Sequence, residues 1–128
     1  MQKIKLSQNL KSEKIYNLEE RSKKFFERVI LLCRGMKYSP VTKRIIEQLV
    51  AASGSVGANY LEATGGMSRK DFARGLKIAR KEAKECTIWL HGLKVASETD
   101  NPEYDDLIQE ANEFVYIFTS ILEKADKK

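Results

Sequence analysis

Three polar side chains on one face of a predicted helix have types and spacing that could do chemistry. Ser55, Asn59 and Glu62 stand at positions i, i+4 and i+7, which brings them side by side on an α-helix. Glu82 and Glu85 lie on the next predicted helix and could face them. An enzyme would need a deep pocket around Asn59, Glu62 and Glu85, and a ligand-binding patch is a second interpretation. We favour a structural polar cluster of Ser55, Asn59, Glu62 and Glu85 that fixes helix register.

The other residue types that perform catalysis or bind metals form no recognisable pattern. His91 is the only histidine and has no cysteine or aspartate at ligand spacing. Cys33 and Cys86 lie on apolar stripes, which is typical of small core residues. There is no Glu-x-x-His pair for a di-iron site, and the glycines follow no strand, as a phosphate-binding loop would require. We predict that the chain is not an enzyme and has no cofactor or metal.

Charge is the stronger chemical signal, because it is distributed unevenly along the chain. Residues 1–67 carry twelve Lys and Arg against six Asp and Glu (net +6), and residues 68–97 carry eight against three (net +5). Residues 98–128 carry three against nine (net −6), which leaves +5 overall. This pattern suggests either a polyanionic partner such as nucleic acid or contacts between opposite faces of neighbouring copies. For any single cluster we favour the alternative that helices simply need solvated charged faces.

The basic residues of the first and third predicted helices, together with two that precede them, are the candidates for contacts with nucleic-acid phosphates. Such contacts would position a nucleic acid without reading its bases. The candidates are Lys11, Lys14, Arg21, Lys24, Arg28, Arg69, Lys70, Arg74, Lys77, Arg80, Lys81 and Lys84.

The elements that must position these residues are helices. The chain has 128 residues, 42% hydrophobic and 32% charged, with two prolines and seven glycines, which suits one α-helical domain over residues 1–128. Apolar residues recur at three- and four-residue steps over about 15–36, 40–64, 68–97 and 102–124. Short links between four such helices predict an antiparallel up-down-up-down four-helix bundle.

Capping residues and glycines predict where the second helix begins and ends. The same helix has an unusual stretch of small residues in its middle. Ser39 is expected to cap the second helix with Pro40 in its first turn, and Val41 to start the row that faces the core. We expect Gly65 and Gly66 to end this helix in the left-handed conformation. Three further small residues in the middle of the helix predict close packing of a neighbouring helix, and a functional hinge is the alternative. They are Gly54, Gly57 and Ala58.

The expected compartment is the cytoplasm. No apolar run approaches the roughly 20 residues that span a bilayer, and the N-terminus lacks the apolar core of a secretory signal. Two cysteines cannot form a disulfide scaffold, so we expect reduced thiols.

The middle of the chain resembles a known family. The segments that carry the resemblance are Ser-Val-Gly-Ala-Asn-Tyr-Leu-Glu-Ala at 55–63, Ser-Arg-Lys-Asp-Phe at 68–72, Lys-Ile-Ala-Arg-Lys-Glu-Ala-Lys-Glu at 77–85 and Trp-Leu at 89–90. They are similar to the four-helix-bundle family of 23S rRNA intervening-sequence proteins, also called S23 ribosomal proteins.

The resemblance implies a bundle that assembles into a homopentameric ring. It also implies a relation to the accessory variability-determinant proteins of diversity-generating retroelements, which bind nucleic acid and a reverse transcriptase. Together with the charge pattern, it leads us to expect a non-enzymatic oligomer that binds RNA, or else DNA, through its basic surface. The alternative is a protein-interaction scaffold that docks a partner such as a reverse transcriptase.

Overall fold

A computed structural model of the chain describes residues 17–126, and all of their regular structure is helical. Helix α1 spans Leu18–Arg34, α2 Pro40–Thr64, α3 Arg69–Ala96 and α4 Glu103–Asp126. Within residues 17–126 the predicted all-α class and the four predicted helices are therefore confirmed. The start predicted for the first helix, near residue 15, lies outside the described residues.

Contacts between the helices establish that their order is up-down-up-down. Gly75 of α3 lies against Ala63 of α2, while Gly92, further along α3, lies against Ile45, nearer the start of α2. The contact positions rise in number along α3 and fall in number along α2, so the two helices are antiparallel. The α1–α2, α3–α4 and α1–α4 pairs behave in the same way, so each helix packs against two neighbours in a closed bundle.

The core is formed by the inward stripes that the periodicity predicts. Predicted row members that are fully enclosed include Phe25, Leu49, Leu76 and Phe114. One prediction is wrong, because Val41 is 61% exposed. The reason is the N-terminal cap of α2, which turns Thr42 rather than Val41 towards the interior.

The cap that begins α2 confirms the prediction for Ser39 and Pro40. The Ser39 hydroxyl accepts a hydrogen bond from the backbone N–H of Thr42 at 3.1 Å. In return, the Thr42 hydroxyl accepts one from the backbone N–H of Ser39 at 2.9 Å. This reciprocal arrangement satisfies two amides that the start of a helix leaves without partners.

Of the two glycines that end α2, Gly66 is needed for space, and neither is needed for handedness. Gly65 follows the last helical residue as predicted, but its φ is −89°, and no glycine among residues 17–126 has a positive φ. The expected left-handed conformation is therefore wrong. A Cβ on Gly66 would lie 3.1 Å from the carbonyl oxygen of Ala63 and 3.2 Å from Cβ of Asp71. The chain turns tightly enough to leave little room for a side chain there.

Glycines also set the spacing of the helices. A Cβ on Gly57 would lie 2.8 Å from the Ser22 hydroxyl oxygen, and one on Gly54 would lie 3.1 Å from the Phe26 ring, so α1 packs closely over this part of α2. Ala58 is exposed and takes no part in that contact. The stretch lies within one continuous helix.

A close approach of α2 and α3 involves a glycine that the sequence analysis did not single out. A Cβ on Gly75 would lie 2.5 Å from Cβ and 2.9 Å from Cα of Ala63, so no other residue fits there without a shift of backbone. The contact presses α3 against α2 and fixes which side of α3 faces outward. That outward side carries the basic residues.

Candidate nucleic-acid interface

Five basic side chains form a row along the outer side of α3. The opposite side of this helix carries fully buried core residues, among them Leu76 and Leu90. The row residues follow one another at steps of four, three, four and three, so they share one stripe of the helix surface. They are Lys70, Arg74, Lys77, Lys81 and Lys84, all exposed, and we call them the α3 row. From first to last they span about 21 Å at 1.5 Å per residue.

Shallow grooves run between the side chains of the α3 row. One, of about 440 Å³, is lined by Lys70, Ala73, Arg74, Lys77, Ile78 and Lys81. Another, of about 280 Å³, is lined by Lys77, Arg80, Lys81, Lys84, Glu85 and Ile88. The two grooves share Lys77 and Lys81, so they form one continuous basic surface. A surface of this shape suits an extended polyanion lying along it.

The side chains of the α3 row are not held by ion pairs or hydrogen bonds within the described part of the chain. None of its five side chains forms an ion pair or a hydrogen bond with any other residue between 17 and 126. Arg80, on the same helix, is turned towards α4, where its Nη1 donates to the Thr119 hydroxyl oxygen at 3.3 Å. Arg69 is exposed at the first position of α3. The row therefore presents five cationic groups to the solvent.

Arg21 of α1 has a different environment, because it is held by acidic residues of α4. Its Nε and Nη2 donate to the two carboxylate oxygens of Glu110 at 3.1 and 2.5 Å, and Nη2 lies 3.4 Å from Glu113. The guanidinium also lies 5.3 Å from the centre of the Phe114 ring. Burial opposes the charge, but the hydrogen bonds and charges of both glutamates outweigh it and raise the pKa of Arg21.

Arg28 forms a second, more exposed ion pair between the same two helices. Its Nε and Nη2 donate to Glu103 at 3.3 and 2.6 Å, and this hydrogen bonding raises the pKa of Arg28. Lys24, on the same helix, is exposed and has no ion pair within the described residues. Lys11 and Lys14 lie outside the described residues. The predicted basic residues therefore divide into those neutralised by α4 and those that remain free.

The predicted polar cluster is divided between two helices. The Asn59 side chain donates to the Ser55 backbone carbonyl at 2.8 Å, within α2, and Glu62 is exposed. On α3, burial and then the charge and hydrogen bond of Glu85 raise the pKa of Glu82. No hydrogen bond joins the Ser55 and Asn59 pair to Glu85 in the part of the chain that the structure describes.

The cysteines and the histidine carry no sign of reactivity. Both thiols are free, and burial raises the pKa of Cys33 to about 11 and that of Cys86 to about 12, so both stay protonated at neutral pH. His91 is exposed on α3. Residues 17–126 contain no group of three or more His, Cys, Asp or Glu side chains placed to hold a metal ion.

The four described helices do not have membrane-spanning character. None of the four combines the length and the apolar character that a bilayer crossing needs.

The acidic partners of α1 are the residues that the sequence analysis did not single out. Glu103, Glu110 and Glu113 were only part of the negative count of the last quarter of the chain. A signal for them exists, since a basic first helix and an acidic fourth helix become neighbours when a four-helix bundle closes.

Comparison with known proteins places the chain in a family. A family model described as 23S rRNA-intervening sequence protein matches residues 16–120. A crystal structure of a protein of unknown function from the S23 ribosomal protein family of Bacteroides thetaiotaomicron is 29% identical, with a TM-score of 0.70. The similarity covers 81% of this chain and 96% of that protein. A search of curated proteins found no match. The family model spans the first three helices and most of α4, and the chain belongs to the 23S rRNA-intervening sequence protein family.

Proposed function

We propose that this protein is a non-enzymatic nucleic-acid-binding protein that holds structured RNA by its phosphate backbone along the α3 row. The observation that carries the proposal is a set of five exposed cationic side chains, without internal partners, on about 21 Å of one helix. Lysine and arginine side chains contact phosphates by charge, and release of counterions from the nucleic acid then drives binding. Such contacts position the nucleic acid without selecting a base sequence.

The proposed contact surface is smaller than the full set of basic candidates. Arg21 and Arg28 already have carboxylate partners, and binding a phosphate would require breaking those ion pairs. Arg80 is directed towards Thr119. Arg69 and Lys24 are exposed and could add contacts at the edges of the surface. The α3 row is the part that needs no rearrangement of the protein.

Assembly of several copies is the second part of the proposal. The family resemblance implies a homopentameric ring, and five copies with a formal charge of +5 each would carry about +25. Several rows on one particle would multiply the contacts with a long RNA and raise its apparent affinity. Light scattering coupled to gel filtration should give about five times the 14.7 kDa mass of one chain. A single-chain mass at micromolar concentration would refute the ring.

Charge reversal of the α3 row tests the binding surface. The variant Arg74→Glu/Lys77→Glu/Lys81→Glu should bind a fluorescein-labelled RNA hairpin more than about a hundredfold more weakly than the original protein. The matched control is Lys37→Glu/Lys43→Glu/Arg44→Glu, which changes the net charge equally at exposed residues outside α3. Fluorescence anisotropy measures both affinities, and circular dichroism checks that both variants fold.

The control separates local contact from general attraction. If the two triple variants lose affinity equally, the net charge attracts RNA and the α3 row is not the contact surface. If the row variant binds as well as the original protein, the assignment of the surface is wrong.

A protein partner is the second candidate function, and one observation favours it. Ile88 and Val95, seven residues apart on one side of α3, are 68% and 72% exposed, and an apolar surface of a partner could cover both. A partner such as a reverse transcriptase could bind there through apolar and charged contacts. Absence of RNA binding at low salt would favour this candidate.

A further inference from the structure

We infer that the α3 row selects double-stranded segments over single strands. This inference rests on the proposed function, because it specifies which form of nucleic acid the same surface binds. Three features of α3 carry it: the fixed geometry of the row, the spacing of its charges and the direction of its aromatic side chains.

The fixed geometry of the α3 row suits a stiff ligand. The row lies on one helix whose inner side is anchored by Leu76, Ala83 and Leu90, all completely buried, and by the tight Gly75 contact with Ala63. The backbone positions of its cations are therefore set before binding. A duplex is also stiff, with a persistence length of about 150 base pairs. A single strand must first be straightened along the row, at a cost in conformational entropy.

The spacing of the charges favours the denser polyanion. Five cations over about 21 Å place one charge at roughly every 5 Å along the helix axis. A duplex carries one negative charge per about 1.7 Å of its axis, and each of its strands one per about 3.4 Å. A duplex therefore presents about twelve phosphates over the length of the row, against about six for one strand. The cations of the row therefore experience a stronger negative field beside a duplex than beside one strand.

The aromatic side chains of α3 are not placed for base stacking. Proteins that bind single strands stack the bases on aromatic rings, at about 1–3 kcal/mol per base. The two aromatic residues of α3, Phe72 and Trp89, are partly buried and pack against the hydrophobic core. The apolar side chains that line the grooves of the row are the aliphatic Ile78 and Ile88. The row can thus bind the outside of a duplex, and none of its five residues carries an aromatic ring on which unpaired bases could stack.

Direct comparison of two RNA probes tests the inference. Fluorescence anisotropy at about 100 mM salt would compare a 20-base-pair RNA duplex with a 20-nucleotide single strand that cannot fold on itself. We expect the duplex to bind at least about tenfold more tightly. The plot of log affinity against log salt should have a slope of about 0.9 per phosphate contact for the duplex and about 0.7 for the single strand. The variant Lys77→Glu/Lys81→Glu should weaken binding of both probes.

The outcomes distinguish this inference from the proposed function. If the single strand binds as tightly as the duplex, and the variant weakens both, the preference for duplex is wrong while the α3 row remains the binding surface. If neither probe binds, or if the variant binds both unchanged, the proposed function is wrong and the inference fails with it.

Discussion

Arg21 and Arg28 of α1 and the residues of the α3 row carry the same charge but lie in different environments. Arg21 on α1 is 15% exposed and has two carboxylate partners on α4. Lys77 and Lys81 on α3 are exposed and have none among the described residues. The difference arises from the bundle, in which α4 lies beside both helices and directs Glu103 and Glu110 towards α1, while the outer side of α3 that carries the row stays uncovered. A cluster of positive charge in a sequence thus indicates a ligand surface only once the neighbouring charges are known.

The two regions also differ in what their charges do energetically. A partly buried pair such as Arg21 and Glu110 adds little more to the free energy of unfolding than an apolar contact would. Removal of either member alone is strongly destabilising, because the other charge is left without a partner. Exposed lysines contribute little to folding, and their charge is available for a partner. We therefore assign α1 a charge-based role in holding the bundle together and α3 a charge-based role in binding.

The largest expected effect on stability comes from Arg21. Replacement by methionine would leave Glu110, 18% exposed, without its main partner, and should lower the free energy of unfolding by about 2–3 kcal/mol. RNA affinity should stay within about twofold, since the residue is not on the contact surface. Denaturant unfolding followed by fluorescence of Trp89, the single tryptophan, measures the first quantity.

The neighbouring Lys23→Met provides the control for Arg21→Met. Lys23 is 58% exposed, lies 3.5 Å from Glu19, and should change stability by less than about 0.5 kcal/mol. A large loss of RNA affinity in Arg21→Met, without loss of stability, would remove the distinction between the two helices.

A single substitution in the α3 row should have the reverse effect. Lys81→Ala should weaken RNA binding about fivefold and change the free energy of unfolding by less than about 0.5 kcal/mol. Lys43→Ala, exposed on α2, is the control for removing one positive charge. Equal losses of affinity in the two variants would mean that position on the surface is unimportant.

Arg28 should have a smaller effect than Arg21, because its pair with Glu103 is more accessible to water. The two side chains are 37% and 33% exposed. Arg28→Ala should therefore lower stability by about 0.5–1 kcal/mol and leave RNA binding unchanged. The loss should shrink in about 1 M salt, which screens the pair. A loss of stability as large as that of Arg21→Met would show that exposure does not set the strength of these pairs.

Glu82 on α3 offers the smallest effect and a test of pH dependence. Burial raises the pKa of Glu82 above its usual value, so folding favours the protonated form. The stability that protonated Glu82 contributes is fully present below the usual pKa of a glutamate. It is lost as the pH rises through the raised pKa of Glu82. Glu82→Gln should thus stabilise the protein by about a few tenths of a kcal/mol at pH 7 and have no effect near pH 4. Glu62→Gln, at an exposed position, should change neither value.

The fold was largely predictable because each helix carries its own periodic signal. The rows that contain Phe25, Leu76 and Phe114 follow from spacing alone, and the cap at Ser39 follows from local hydrogen bonding. The contact between Gly75 and Ala63 was not predictable, since a glycine within a helix does not show which neighbour approaches it.

The candidate site was predictable only in part. Spacing and charge identify the α3 row, because its residues share one side of one helix. Glu110 neutralises Arg21 and so removes Arg21 from the candidate surface. These two residues are 89 positions apart in sequence. No local pattern encodes that pairing. It follows from the closure of the bundle.

The salt dependence of RNA binding tests the central claim most directly, because its slope counts the charges that contact phosphates. In a plot of log affinity against log salt, Arg74→Ala/Lys77→Ala/Lys81→Ala should reduce the steepness by about 2.7, at about 0.9 per contact. Arg21→Met, which removes a positive charge from α1, should leave the slope unchanged. Equal slopes for the original protein and the row variant, or a reduced slope for Arg21→Met, would contradict the account.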